Sequence, residues 1–174
     1  MTSPSPPRKR RGNAEGAGTA LGAAFRMLSR RALSEEEIRT RLIRKGFDPA
    51  ESERALGRLR ELGLADDRTL CGRLARGYRR DRRWGPRRIA GKLASRKFSR
   101  ELIEEALRAI RPEEEFAAAL EALRRRFREG IPPGRGGAAK VYRFLAARGF
   151  PPDTCRRAIR AETGGIDDDA GGDG

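Results

Sequence analysis

The chain has 174 residues, with 40 basic and 25 acidic side chains, a formal net charge of +15 and no histidine. The absence of histidine removes the commonest general base and metal ligand, while the high positive charge favours a polyanionic partner. No apolar run approaches the ~18–20 residues of a membrane helix, and no apolar segment follows the basic N-terminal residues. We therefore expect a cytoplasmic protein that does not bind a membrane.

Both ends of the chain have the composition of unfolded segments. Residues 1–22 are rich in Pro, Gly and Ser and include the basic run Arg8–Arg11, whereas residues 163–174 consist mainly of Gly and Asp. Neither segment buries enough apolar surface to offset an ordering entropy of ~1–2 kcal/mol per residue. We expect a disordered basic tail, which is either a weak DNA anchor or a spectator, and a disordered acidic tail.

Three stretches between the tails repeat one pattern: Ile38–Leu56, Ile89–Leu107 and Val141–Ile159. Each has apolar residues at its first position and at offsets of 4, 9, 17 and 18, with Phe at the offset of 9. The first copy places Ile38, Leu42, Phe47, Ala55 and Leu56 at these positions, the second Ile89, Leu93, Phe98, Ala106 and Leu107, and the third Val141, Leu145, Phe150, Ala158 and Ile159. Self-similarity of this kind indicates a repeat architecture.

Each copy is predicted to form two helices joined by a tight turn. The two aliphatic residues four positions apart lie on one face of the first helix. A cap candidate precedes them by four residues in every copy: Ser34, Gly85 and Gly137. Ser34 and Glu37 form an S-x-x-E capping box, and Gly85 is followed by Pro at the first helical position.

The first helix of each copy is predicted to end just before the Phe of the repeated pattern. Gly46 and Gly149 each follow a basic residue and suit the left-handed conformation of a helix C-cap. Lys97 stands at the same position in the second copy, so we expect that helix end to be capped differently. Asp48–Pro49, Ser99 and Pro151–Pro152 then start the second helix.

A further helical stretch precedes each copy, and no run alternates with the period of a strand. The prediction is nine helices in three three-helix repeats, at residues 23–63, 64–110 and 111–162. About six apolar side chains per repeat, at ~1.5–3 kcal/mol each, do not stabilise a repeat alone, so neighbouring repeats must stack. We expect an all-α, elongated tandem array.

The second repeat carries the strongest charge. Residues 71–100 contain twelve basic side chains and one acidic side chain, Asp81. On the helix that begins at Pro86, a basic stripe formed by Arg88, Lys92 and Arg96 runs beside the apolar one. We define the predicted basic face by nine residues: Arg73, Arg76, Arg80, Arg83, Arg87, Arg88, Lys92, Arg96 and Lys97. The face suits either nucleic acid or an acidic protein groove, and the alternative is a solvated surface in an Arg-rich composition.

The only tryptophan, Trp84, lies within this basic segment. A planar ring among guanidinium groups is suited to stacking a nucleic-acid base. The alternative, which we favour, is that Trp84 fastens the start of the following helix against the core.

The sequence offers little for catalysis. The carboxylate runs Glu35–Glu37 and Glu113–Glu115 both open helices, where they complement the helix dipole. Cys71 and Cys155 lie at apolar helical positions, which favours buried free thiols over a disulfide. We predict no catalytic residue, metal, cofactor or small-molecule substrate, and no enzymatic activity.

The chain resembles the RecX family, bacterial modulators of the RecA recombinase, over about residues 23–160. The resemblance rests on Gly63-Leu64-Ala65-Asp66-Asp67, on Gly85-Pro86-Arg87-Arg88-Ile89 with Leu93, and on Arg148-Gly149-Phe150. It implies a protein without catalytic activity that binds the RecA filament along its helical groove. Members limit ATP hydrolysis, coprotease activity and strand exchange in DNA repair, and many also bind single- or double-stranded DNA weakly.

A second hypothesis is an autonomous DNA-binding protein of helix-turn-helix type. Each helix–turn–helix step, such as the one around Gly46 and Phe47, has the outline of a recognition unit. This hypothesis predicts a preferred DNA sequence and dimeric half-sites, whereas the RecA hypothesis does not.

Overall fold

The computed structural model describes residues 18–164, and every regular element in that range is an α-helix. The helices are α1 (Ala20–Leu28), α2 (Glu35–Arg44), α3 (Pro49–Glu61), α4 (Asp67–Arg82), α5 (Pro86–Ser95), α6 (Arg100–Arg108), α7 (Pro112–Arg126), α8 (Gly134–Ala147) and α9 (Pro152–Thr163). The nine helices of this range form three groups of three, which confirms the predicted all-α class and three-helix repeats. Most of both predicted tails, residues 1–17 and 165–174, lies outside the described residues.

The first helix begins at Ala20, three residues before the predicted start of the first repeat. Thr19 caps it, because its side chain accepts a hydrogen bond from the Gly22 amide at 3.0 Å. Ala20, Ala23 and Ala24 are then buried against the rest of the repeat. Because the buried face of α1 consists of small side chains at helical spacing, a sequence pattern of large apolar residues does not indicate it.

The described chain divides into two compact units, one up to Asp66 and one from Asp67 onward. The first unit contains repeat 1 (α1–α3), and the second contains repeats 2 (α4–α6) and 3 (α7–α9). The repeated aliphatic positions form the cores of both units: Ile38, Leu42, Ile89, Leu93, Val141 and Leu145 are all fully buried. Both cysteines are buried and free, as predicted.

The predicted helix caps are present at most ends. The Ser34 hydroxyl accepts from the Glu37 amide at 3.1 Å, and the Glu37 carboxylate accepts from the Ser34 amide at 3.0 Å, which completes the capping box. Asp48 and Ser99 accept from the amides of Ala50 and Leu102. Local sequence therefore defines where these helices begin.

The end of α5 corrects one expectation. Lys97 adopts the left-handed conformation with φ of 66°, and the Phe98 amide reaches back to the Leu93 carbonyl at 3.4 Å. Gly46 and Gly149, with φ of 93° and 85°, support the same return bond in the other repeats. The helix end in repeat 2 is therefore closed as in its counterparts, at the strain cost of a left-handed lysine.

Gly137 is not a cap. The helix α8 starts three residues earlier, at Gly134, and Gly137 lies buried in its first turn. A Cβ atom at this position would lie 1.6 Å from the Pro132 carbonyl oxygen, so the chain leading into α8 passes directly over a glycine. The glycine is required by close backbone approach, which the capping pattern does not distinguish.

None of the helices in residues 18–164 has the length and apolar character needed to cross a membrane.

Candidate polyanion interface

Repeats 2 and 3 meet through a direct backbone contact, which we call the joint: residues 85–88 against residues 148–150. The Gly85 amide donates to the Arg148 carbonyl at 2.8 Å, and the Arg87 amide donates to the Gly149 carbonyl at 3.1 Å. A Cβ atom on Gly85 would lie 2.3 Å from Gly149 backbone atoms, and one on Gly149 would lie 2.3 Å from the Arg88 amide nitrogen. The start of α5 therefore lies against the end of α8 with no room for a side chain between them.

Trp84 packs beside the joint. Its ring centroid lies 5.3 Å from that of Tyr78, and the Arg88 guanidinium lies over the indole at 4.6 Å. The preceding residue, Arg83, takes a left-handed conformation with φ of 53°, which turns the chain from α4 into the joint. Trp84 is half-buried, and its contacts with Tyr78 and Arg88 are compatible with the packing role favoured from the sequence, which stays a prediction. Its role in stacking a base stays a prediction.

Arginine side chains of both repeats make polar contacts across the joint. Arg88 donates through Nη1 to the Ala147 carbonyl at 3.1 Å, and Arg148 donates through Nη1 to the Arg82 carbonyl at 2.9 Å. The Arg148 guanidinium also lies 4.8 Å from the centre of the Phe144 ring. Arg83 forms an ion pair with Glu121 of α7. Each of these arginines therefore has a defined position at the joint.

The arginines of the joint also repel one another. Partial burial lowers the pKa of Arg148, and the positive charges of Arg88, Arg83 and Arg125 lower it further. Two of these groups belong to repeat 2 and two to repeat 3. Arg83 and Arg88 belong to the predicted basic face. Arg125 and Arg148 do not, because they lie about 40–60 positions further along the chain.

The remaining residues of the predicted basic face lie on α4 and α5. Arg73, Arg76, Arg80, Arg87, Lys92 and Lys97 are exposed. The Arg80 guanidinium donates a hydrogen bond to the carboxylate of Asp81 at 2.8 Å, which raises the pKa of Arg80. Arg96 is half-buried, with its guanidinium 5.9 Å from the Phe98 ring. The face is therefore mostly solvent-accessible, and its role in binding stays a prediction.

Arg79 is a basic residue of α4 that lies outside the predicted basic face. It is 7% exposed, and none of its three guanidinium nitrogens has a hydrogen-bond partner within the described residues. Burial lowers the pKa of Arg79, although the nearby carboxylates of Glu115 and Glu114 oppose this shift. The Thr154 hydroxyl already donates to Glu115 at 2.6 Å. A buried cation thus lies between α4 and the first turn of α7.

The part of the chain that the structure describes contains no cluster of three His, Cys, Asp or Glu side chains suited to a metal ion. Burial raises the pKa of the Cys71 thiol to about 11, so this thiol is protonated at neutral pH. The carboxylates Glu35–Glu37 and Glu113–Glu115 lie in the first turns of α2 and α7, as predicted.

Three models of RecX domains match the chain in order. The first three-helix domain of RecX matches residues 20–59, the second matches residues 66–107, and the third matches residues 113–159. Together they cover most of the chain, and each match corresponds to one of the three-helix groups. The arrangement of repeats described above is therefore that of these three domains.

Curated relatives and solved structures agree with these matches. The regulatory protein RecX of Deinococcus radiodurans is 36% identical over 154 residues, which covers 88% of this chain and 73% of the relative. That of Thermus thermophilus is 38% identical over 143 residues, or 81% and 90% of the two chains. The crystal structure of RecX from Lactobacillus salivarius superposes with a TM-score of 0.74 over 83% of this chain and 94% of that chain. At 19% identity, this last similarity bears on the fold alone.

Proposed function

Since the chain belongs to the RecX family, we propose that it regulates the RecA recombinase by binding the RecA filament and inhibiting its ATPase, recombinase and coprotease activities. The named relatives are regulatory proteins, and in this proposal the chain acts by binding, without catalysis of its own. Weak binding to single- or double-stranded DNA assists it. DNA repair and the response to DNA damage are the processes in which such a regulator acts.

The observation that carries the proposal is the ordered match of all three RecX domains. The charge distribution supports it further, since the exposed arginines and lysines of α4 and α5 suit a filament that contains both protein and DNA.

The first test is ATP hydrolysis by RecA on single-stranded DNA, with this protein added from well below the RecA concentration. Inhibition at a small fraction of the RecA concentration supports filament capture. Inhibition only when the protein is abundant enough to coat the DNA contradicts it. In that case the next experiment selects the DNA duplexes that the protein binds from a pool of random sequence. Enrichment of one sequence motif would support the autonomous DNA-binding hypothesis.

The second test locates the contact. We expect the triple variant Arg88→Glu, Lys92→Glu, Arg96→Glu to lose inhibition while its circular dichroism spectrum stays unchanged. A matched control reverses two arginines and one lysine in repeat 1, all exposed: Arg44→Glu, Lys45→Glu and Arg54→Glu. Full inhibition by the first variant, or equal loss in both, would contradict a specific role for the basic face.

A further inference from the structure

We infer that the joint between repeats 2 and 3 is a phosphate-binding site for a nucleic-acid backbone, formed by Arg88 with Arg125 and Arg148. The inference deepens the proposed function, because it assigns the DNA contact to a specific place and adds two residues of repeat 3. It rests on where the side chains converge, on their electrostatics and on the rigidity of the backbone that holds them.

The positions of the arginines follow from the contacts around them. The Arg88 backbone lies against Gly149, next in the chain to Arg148, so these two side chains start from adjacent points. The Arg88 guanidinium then donates to the Ala147 carbonyl, on the other side of Arg148 in the chain. Glu121 of α7 pairs with Arg83, and Arg125 lies four residues later, on the same face of that helix. Arginines from the end of α4, the start of α5, the end of α7 and the end of α8 therefore meet at one place.

This convergence is electrostatically unfavourable in the free protein. We call Arg83 and the three proposed phosphate-binding arginines the cluster. In the described residues only one of these four arginines contacts an acidic group, Arg83 with Glu121, so the cluster keeps an excess of positive charge. The mutual repulsion is large enough to lower the pKa of Arg148 in addition to the effect of burial. A bound anion would relieve this repulsion, and guanidinium groups match the geometry of phosphate oxygens.

The backbone of the joint fixes the arginines before any ligand arrives. Two interrepeat hydrogen bonds and the close contact of Gly85 with Gly149 leave little freedom to the segments that carry Arg88 and Arg148. A site that is already ordered loses less entropy on binding. Repeats 2 and 3 are both required, since neither contains the whole cluster.

The neighbouring charges favour a chain of phosphates over a single carboxylate. Lys92 lies one turn beyond Arg88 on α5, about 6 Å further along the helix axis, and it is exposed. Arg87 is exposed at the start of the same helix. The positive charge thus continues in a row away from the joint, as a repeating polyanion requires.

The test measures the affinity for a fluorescein-labelled single-stranded 20-mer of thymidylate, without RecA, by anisotropy at several salt concentrations. Loss of one phosphate contact on a single strand reduces the salt slope by about 0.7 and the affinity at 0.1 M salt about 5-fold. We expect this for Arg125→Gln, whose side chain is exposed. For Arg125→Gln with Arg148→Gln we expect a loss of about 25-fold.

The control variant also removes two arginine charges, but from the opposite ends of α7 and α8. It carries Arg111→Gln at the start of α7 and Arg135→Gln at the start of α8. Each lies about 20 Å along its helix from the cluster. Equal losses in the control and cluster variants would show an effect of net charge alone and overturn the inference. So would failure of the wild-type protein to bind the oligonucleotide.

Two further readouts separate the remaining outcomes. If inorganic phosphate changes Trp84 fluorescence but the cluster variant keeps its oligonucleotide affinity, the site binds free phosphate and the assignment to nucleic acid is wrong. RecA ATP hydrolysis, measured with wild-type protein, tests the proposed function separately. Inhibition of RecA with unchanged oligonucleotide affinity in the cluster variant would preserve the proposed function and overturn the inference. No inhibition of RecA, together with a loss of oligonucleotide affinity in the cluster variant, would overturn the proposed function and support the inference.

Discussion

Repeat 1 and the unit formed by repeats 2 and 3 use the same helical pattern with different electrostatics. Residues 20–66 contain ten basic and eight acidic side chains, whereas residues 67–163 contain 26 and 12. In repeat 1 the charges form a network in which Arg60 contacts Glu35 and Glu53, and Arg39 contacts Glu53 and Glu36. In the second unit, arginines cluster with one another at the joint. The repeated apolar pattern thus specifies the fold and leaves the surface charge free to differ.

The same contrast appears in the backbone. Gly46 and Gly149 hold equivalent positions after Lys45 and Arg148, and both have positive φ. No atom lies within 4 Å of a Cβ built on Gly46, while a Cβ on Gly149 would lie 2.3 Å from the Arg88 amide nitrogen. Gly46 is required for its conformation alone, and Gly149 for its conformation and for the space that the preceding repeat occupies.

The largest expected effect comes from this pair of glycines. We expect Gly149→Ala to lower the free energy of unfolding by about 3 kcal/mol, because left-handed strain adds to a steric overlap. Gly46→Ala is the matched control and should cost about 1 kcal/mol, from strain alone. Urea unfolding followed by circular dichroism and by Trp84 fluorescence measures both.

A thiol reagent gives an independent check on Gly149→Ala. Cys71 and Cys155 are both buried in the second unit, and repeat 1 contains no cysteine. Faster labelling in Gly149→Ala than in Gly46→Ala would support local opening at the joint. Equal costs for the two substitutions would show that the backbone contact contributes nothing beyond conformation.

The next largest effect concerns the buried cation Arg79, which has no counterpart in the paired network of repeat 1. We expect Arg79→Met to raise the free energy of unfolding by about 1–4 kcal/mol, because an apolar side chain of similar length avoids the desolvation of an unpaired charge. Arg76→Met, exposed on the same helix, should change it by less than about 0.5 kcal/mol. A large destabilisation in Arg79→Met would instead indicate that its charge is compensated in the folded protein.

The smallest effect tests the network of repeat 1. The Arg39 hydrogen bond holds the pKa of Glu53 below its usual value, with a further contribution from Arg60. A carboxylate with a lowered pKa stabilises the fold above its unfolded-state pKa, and this contribution is lost as the pH falls through the folded-state pKa. Because the Glu53 side chain is 50% exposed, we expect Glu53→Gln to cost less than about 1 kcal/mol at pH 7.

Thermal unfolding at pH 7 and pH 3, in low and high salt, measures this cost. The difference between Glu53→Gln and wild type should shrink at pH 3, as Glu53 becomes protonated, and in 1 M salt, where its charge is screened. Glu61→Gln removes the isolated pair with Arg58 and should cost less still. A difference as large at pH 3 and in 1 M salt as at pH 7 in low salt would assign the effect to packing.

Much of the fold was predictable because its signals are local. Helix caps such as Ser34 and Asp48, the aliphatic pairs and the Phe of each turn lie within a few residues of their partners. Lys97 was the exception: its side chain suggested a different helix end, yet the surrounding Leu93 and Phe98 impose the left-handed conformation. Tertiary context there outweighs intrinsic preference.

The candidate site was predictable only in part. Composition indicates the basic segment, and Arg83 and Arg88 of the predicted basic face lie at the joint together with Trp84. The sequence around Arg148 predicts only a helix end, because nothing local indicates that its carbonyl meets Gly85 in the preceding repeat. Charge density along the chain identifies neither which arginines converge nor that Arg79 is buried.

The joint also determines where the chain tolerates being cut. Cleavage between α6 and α7, followed by separation of the pieces, would leave the Gly85 and Arg87 amides without their acceptors on Arg148 and Gly149. Each separated piece would expose its side of the joint to water and lose the two interrepeat hydrogen bonds together with the packing of Gly85 against Gly149. Limited proteolysis should accordingly yield a stable product of residues 67–163, in which the second and third repeats stay together.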